Sequence, residues 1–230
     1  MIEFGWTRHQ AAMLAHFETS PENFATPWRW STIEATCYVG PGLLLTSEVG
    51  EMREAGVDLP DWSDDGDEPN LLHQRYHLWR WQRENPALDL RRLRTIQEFG
   101  GGYGAMAIVA ARLGFRGEYH IHDLVEFEHL QDRHLPLRDL PFKVRHKVHK
   151  HPDLLISCFG LNEAPVEDRT AFLDRCLPEN YLIACGGSVD PWFVAWAQRH
   201  FMRRGPVWVE QPGPIGAPPI SYLLSHRGRK

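Results

Sequence analysis

From residue 92 onward, short apolar runs alternate with stretches whose apolar residues recur at helical spacing. Thr95–Phe99, Glu118–His122, Phe142–Val148, Asp153–Cys158, Tyr181–Cys185, Pro206–Glu210 and Ser221–Ser225 read as strands. Between them, Tyr103–Leu113, Leu124–His134, Val166–Cys176 and Pro191–Arg203 read as helices. Apolar strands separated by such helices predict a mostly parallel sheet covered on both faces. Only the Pro- and Gly-rich stretch Gln211–Pro219 separates the last two strands, so they are expected to pair antiparallel. The pattern thus predicts an α/β, doubly wound domain over residues 91–230.

Residues 1–90 follow a different rhythm and read as a helical N-terminal cap. Thr7 can cap a helix running from His9 to Phe17, and Pro21 and Asn23 break the chain after it. After the turn Pro41-Gly42, the segment Leu43–Ala55 has helical composition. Asp58–Glu68 is acidic and turn-rich, with no EF-hand spacing of oxygen ligands. Asn70 is expected to cap a helix over Leu71–Glu84, with Leu72, Tyr76 and Trp79 on one face and Pro86 beyond its end.

Charge changes at the same boundary. Residues 1–90 carry 6 Lys/Arg against 15 Asp/Glu, whereas residues 91–230 carry 19 against 15, so a net of −9 meets a net of +4. Neither part is basic enough to point to nucleic acid. The apolar fraction of 43% over 230 residues excludes a mainly disordered chain. No apolar run approaches the roughly 20 residues that span a bilayer, and no secretory signal opens the chain. Cys37, Cys158, Cys176 and Cys185 lack CxxC spacing, which reads as free thiols in a reducing cytoplasm.

The sharpest motif is Glu98-Phe99-Gly100-Gly101-Gly102-Tyr103-Gly104, which follows a strand and opens a helix. Glycines there let the backbone turn tightly and let a ligand approach the main chain. Read as GxGxxA (Gly100, Gly102, Ala105), the loop fits a dinucleotide fingerprint with pyrophosphate at the helix N-terminus. Read as E-x-G-x-G-x-G, it fits an S-adenosylmethionine loop. Glu98 favours the second reading, because a carboxylate at the strand end repels pyrophosphate but accepts charge-assisted hydrogen bonds from an amino-acid end. Asp123 follows Gly104 by nineteen residues, at the end of the second strand, where an acid can take both ribose hydroxyls of either cofactor. Asp123 is also placed to cap the following helix.

Over residues 92–230 the chain resembles the class I S-adenosylmethionine-dependent methyltransferases. More narrowly it resembles a sugar O-methyltransferase group, through EFGGGYG (Glu98–Gly104), HIHDLVEFEHLQDRHL (His120–Leu135) and DLLISCFGLNE (Asp153–Glu163). The resemblance implies a seven-stranded sheet with a reversed last strand, S-adenosyl-L-methionine as cofactor, and contacts to it from Glu98, Gly100, Gly102 and Asp123. Gly101, Tyr103 and Gly104 of the loop, Leu124 beside Asp123, and Ser157 at the fourth strand's end complete the candidate cofactor set. The chain departs from the family pattern in the third-strand region (Lys143, Arg145, His146, Lys147), which offers no acid for the adenine amino group.

A hydroxyl acceptor needs a group that takes its proton, and ligands of open sheets bind beyond the strands' carboxyl ends. Glu163, after the fourth strand, is the first candidate base, and His122, next to Asp123, is the second. Glu163 can equally cap or salt-bridge the next helix. Seven histidines fall between His120 and His151, yet local spacing fixes no third ligand for a metal, so no metal site is expected. Six of the nine tryptophans lie in residues 1–90 and are expected mainly in a core, with Trp28 and Trp30 as candidate acceptor contacts. The expected partner is a small-molecule acceptor, without membrane or nucleic acid; homo-oligomerisation stays open. Two rival readings stand: a non-catalytic binding or assembly module with the same fold, and an NAD-dependent oxidoreductase.

Overall fold

The computed structural model describes residues 41–59, 68–186, 190–200, 206–211 and 220–225. The helix expected over His9–Phe17 and the tryptophans Trp6, Trp28, Trp30 and Trp62 lie outside them. Six strands of five or six residues form the sheet: β1 (Thr95–Phe99), β2 (Glu118–His122), β4 (Leu154–Cys158), β5 (Tyr181–Gly186), β6 (Pro206–Gln211) and β7 (Ile220–Ser225). A two-residue strand, β3 (Val144–Arg145), sits at one edge and gives the order β3-β2-β1-β4-β5-β7-β6. β1 pairs parallel with β2 and β4, as do β2 with β3 and β4 with β5, whereas β7 runs antiparallel to both β5 and β6.

The helices are α1 (Pro41–Glu54), α2 (Glu68–Glu84), α3 (Ala105–Arg112), α4 (Val125–His134), α5 (Gly160–Glu163), α6 (Val166–Cys176) and α7 (Pro191–His200). Alternate strand residues feed two apolar layers, as the period of two along a strand requires. Ile96, Tyr119, Ile121, Ile156, Leu182 and Tyr222 pack with α3 and with Met52, Leu71, Tyr76 and Trp81 of α1 and α2. On the opposite face, Leu155, Ile183, Cys185 and Leu223 pack with Phe172 and Leu173 of α6 and with Phe193 and Trp196 of α7. Both faces of the sheet are therefore buried. No described helix is long and apolar enough to cross a membrane.

Two local expectations change. The strand expected over Phe142–Val148 shrinks to Val144–Arg145. Phe142 stacks on Tyr119, with ring centroids 5.5 Å apart, and further along the His149 N–H donates to Gln97 Oε1 at 2.7 Å. With both ends drawn onto the sheet's side chains, only two residues continue the ladder. Asn70 does not cap α2, which begins two residues earlier. It is buried within the first turn, where its Nδ2 donates to the Tyr103 hydroxyl at 2.6 Å and ties α2 to the glycine loop.

Candidate active site

The crossover connections leave β1 and β4 in opposite directions, so a crevice opens between the loops that follow these neighbouring strands. Here the two backbones touch. Gly100 has φ +76°, and a Cβ on it would lie 2.9 Å from Gly160 Cα. A Cβ on Gly160 would lie 2.9 Å from the Phe99 carbonyl oxygen. Only glycine fits at both positions, and the approach fixes the loop after β1 against the start of α5.

Glu98 points from β1 into the face that carries α3. It is 4% exposed and accepts a hydrogen bond from the Tyr119 hydroxyl at 2.8 Å. Burial pushes its carboxyl up to about 8, although the Tyr119 hydrogen bond pulls the other way and the neighbouring Asp123 charge adds a little. A Cβ on Gly101 would come within 3.2 Å of this carboxyl and 2.8 Å of Ile121, so the loop closes directly over Glu98.

Asp123 braces the same loop from the end of β2. Its Oδ2 accepts the Gly102 N–H at 2.8 Å and the Gln131 amide at 3.3 Å, and its Oδ1 accepts the Leu124 N–H at 2.8 Å. Gln131 also donates to the Gly102 carbonyl at 2.6 Å. Desolvation pushes the Asp123 carboxyl up to about 7 despite these donors. Oδ1 retains a lone pair for a ligand hydroxyl.

The other expected cofactor residues divide by exposure. Tyr103 is buried and receives the Asn70 bond, while Gly104, at φ +95°, is the N-cap of α3. Ser157 is buried, and its Oγ accepts the Leu161 N–H at 2.9 Å, which secures the turn into α5. Leu124 is 54% exposed, at the rim beside Asp123. Of the two candidate bases, Glu163 lies exposed at the end of α5, its carboxyl raised by partial desolvation. His122 lies on the α6 face of the sheet, away from Glu98, stacked on Phe172 at 5.3 Å and beside Phe99 at 5.6 Å. Burial lowers its pKa.

A buried polar chain escaped the sequence reading. Glu48 of α1 is fully buried, with both carboxyl oxygens 2.8–2.9 Å from His73 Nδ1. His73 Nε2 lies 3.1 Å from His77 Nε2, and His77 Nδ1 lies 2.8 Å from the Tyr222 hydroxyl on β7. Burial opposes charge on His73, yet the Glu48 charge and hydrogen bond together raise its pKa; burial and the charge of His73 hold His77 well below the usual range. The chain thus runs from Glu48 through His73 and His77 to Tyr222, each within hydrogen-bond distance of the next. The rings of His73 and His77 also pack on Phe159, in the loop after β4. The i, i+4 spacing of the histidines was a local signal; their partners come from α1 and β7.

No family model and no curated protein matches the chain. Among solved structures, it is similar to the mitomycin 7-O-methyltransferase MmcR, at 14% identity over 95% of this chain and 72% of that one, with a TM-score of 0.50. Magnesium protoporphyrin IX methyltransferase (ChlM) from Synechocystis PCC 6803, solved with bound S-adenosylmethionine, aligns over 75% of this chain and 88% of its own at 13% identity and a TM-score of 0.49. M. capricolum TrmK, in complex with S-adenosylhomocysteine, aligns over 64% and 68% at 12% identity and a TM-score of 0.45. At these identities the likeness is one of fold, and that fold, a mostly parallel sheet with an antiparallel last strand, is the Rossmann-like fold of methyltransferases.

Proposed function

We propose that this chain is an S-adenosylmethionine-dependent methyltransferase acting on a hydroxyl of a small molecule, with a sugar as one candidate acceptor class. The observation that carries the reading is the placement of two carboxyl groups, the buried Glu98 and the half-buried Asp123, on either side of the glycine loop. In their ionised forms Glu98 suits an ammonium and Asp123 suits two hydroxyls. An ionised Glu98 disfavours a pyrophosphate, which argues against a nicotinamide cofactor.

When bound, the cofactor supplies an electrophilic methyl carbon on a cationic sulfur. Glu98 would accept from its amino-acid end, Asp123 from its ribose, and the Gly100–Gly102 backbone would pass beneath it. Acceptor attack would form an O–C bond while the S–C bond breaks and its electron pair stays on sulfur. Glu163 is our first candidate for taking the acceptor's proton and His122 the second. Residues 1–90 are proposed as the acceptor-binding cap. The free thiols Cys158, Cys176 and Cys185 support a reducing, cytoplasmic setting.

Calorimetric titration with S-adenosylmethionine, S-adenosylhomocysteine and NADH tests the reading. Micromolar binding of the first two, lost in Asp123→Ala, is expected. Binding of NADH alone moves the protein to the oxidoreductases, and silence from all three favours a non-catalytic module.

A further inference from the structure

Away from the crevice, the α6 face of the sheet carries a second cluster. Glu118 opens β2, and His120 follows on the same face, its Nε2 3.2 Å from Glu118 Oε2. The chain then runs through α4 and β3 before His149 returns to this point, with its ring centroid 4.9 Å from that of His120. Each of the three residues offers a donor atom, and the three atoms lie within 4.8 Å of one another. His120 is fully buried, and both histidines keep a buried Nδ1 without a hydrogen-bond partner among the described residues.

We infer that Glu118, His120 and His149 form a binding site for a divalent transition-metal ion of the zinc type. Two imidazoles and one carboxylate are a recurrent donor set for zinc and its neighbours, with a further position left for water. Bonds of about 2.0–2.2 Å place tetrahedral ligand atoms about 3.3 Å apart, so the Glu118–His120 pair is already spaced correctly and His149 closes in by an ångström or so. The charges around the cluster do not forbid this. Arg145 approaches the other carboxylate oxygen, with Nη2 3.9 Å from Glu118 Oε1, and leaves Oε2 for the ion.

The site is separate from methyl transfer. Glu118 opens β2 and Asp123 follows its last residue, about 16 Å away along a strand that rises roughly 3.3 Å per residue. Its effect is structural: an ion joining His149 to β2 clips down the β3–β4 connection, which the two-residue β3 holds by few ladder bonds. The inference stands whatever the cofactor is.

The test uses full-length protein stripped with a chelator and then titrated with Zn²⁺ alone. One equivalent should bind and raise the Tm, because an ion that binds only the folded state stabilises it by mass action. Substituting Co²⁺ should produce visible d–d absorption with nitrogen and oxygen ligation. Glu118→Ala and His149→Ala, at exposed and half-buried positions, should each weaken Zn²⁺ binding at least about tenfold and abolish the Tm rise. Circular dichroism of both variants reports folding independently of metal. A natively folded wild type that takes up no Zn²⁺ overturns the inference, and so does uptake of equal strength in both variants.

Discussion

Lowering the pH from 8 to 6 should weaken binding of S-adenosylhomocysteine about fiftyfold through Glu98 alone. In the free protein this carboxyl is pushed up to about 8 by burial. The ammonium of the ligand is held by the ionised form, so binding at low pH must first remove a proton. A group with a pKa of about 8 is half ionised at pH 8 and about 1% ionised at pH 6, a cost of about 2.3 kcal/mol. Asp123, pushed up to about 7, adds up to about another tenfold over the same range where the ribose requires its carboxylate. Comparison with Glu98→Gln separates the two contributions. That variant keeps an acceptor for the Tyr119 hydroxyl and should bind more weakly at pH 8 with a much shallower pH dependence. Calorimetry at half-unit steps reads both slopes. A flat wild-type profile, or an unchanged slope in the Gln variant, would refute the assignment of Glu98 to the ammonium.

The same two acids govern the ligand-free protein. Their folded pKa values lie above their unfolded ones, so their stabilising contribution is full below about pH 4 and is lost as pH rises through 7 and 8. Between pH 6.5 and 8.5 the free protein should lose about 2–3 kcal/mol from this source, measurable by urea denaturation, and saturating ligand should reverse most of the loss. Gly100→Ala forces a side chain onto φ +76° and against the Gly160 backbone, so a loss of at least about 1–3 kcal/mol is expected, and a wild-type Tm would contradict the close approach. Glu48→Leu strips the buried His73 of its carboxylate and should cost about 3–5 kcal/mol, whereas Glu48→Gln, which keeps an acceptor, should cost less. Equal chemical-denaturation midpoints for the two Glu48 variants would show that its charge does not matter.

The parts of this protein that its sequence determined are those set by residues close together along the chain. β1, β2 and α6 begin and end where their apolar pattern does, because a period of two or 3.6 is a property of a few consecutive residues. The glycine loop was legible for the same reason: a tight turn between strand and helix demands glycine, and Gly100, Gly102 and Gly104 all take positive φ there. What required the tertiary structure was every partnership across the fold. The expected third strand lost most of its length once Phe142 and the His149 backbone found partners on β2 and β1. Ser157 and Asn70 spend their polar atoms on Leu161 and Tyr103, neither of which local spacing points to. Glu48, His73, His77 and Tyr222 come from three elements, and His149 reaches Glu118 and His120 only after the chain has passed through α4 and β3. Hydrogen bonds and ligand contacts act over about 3 Å in space, and the sequence orders residues only along the chain.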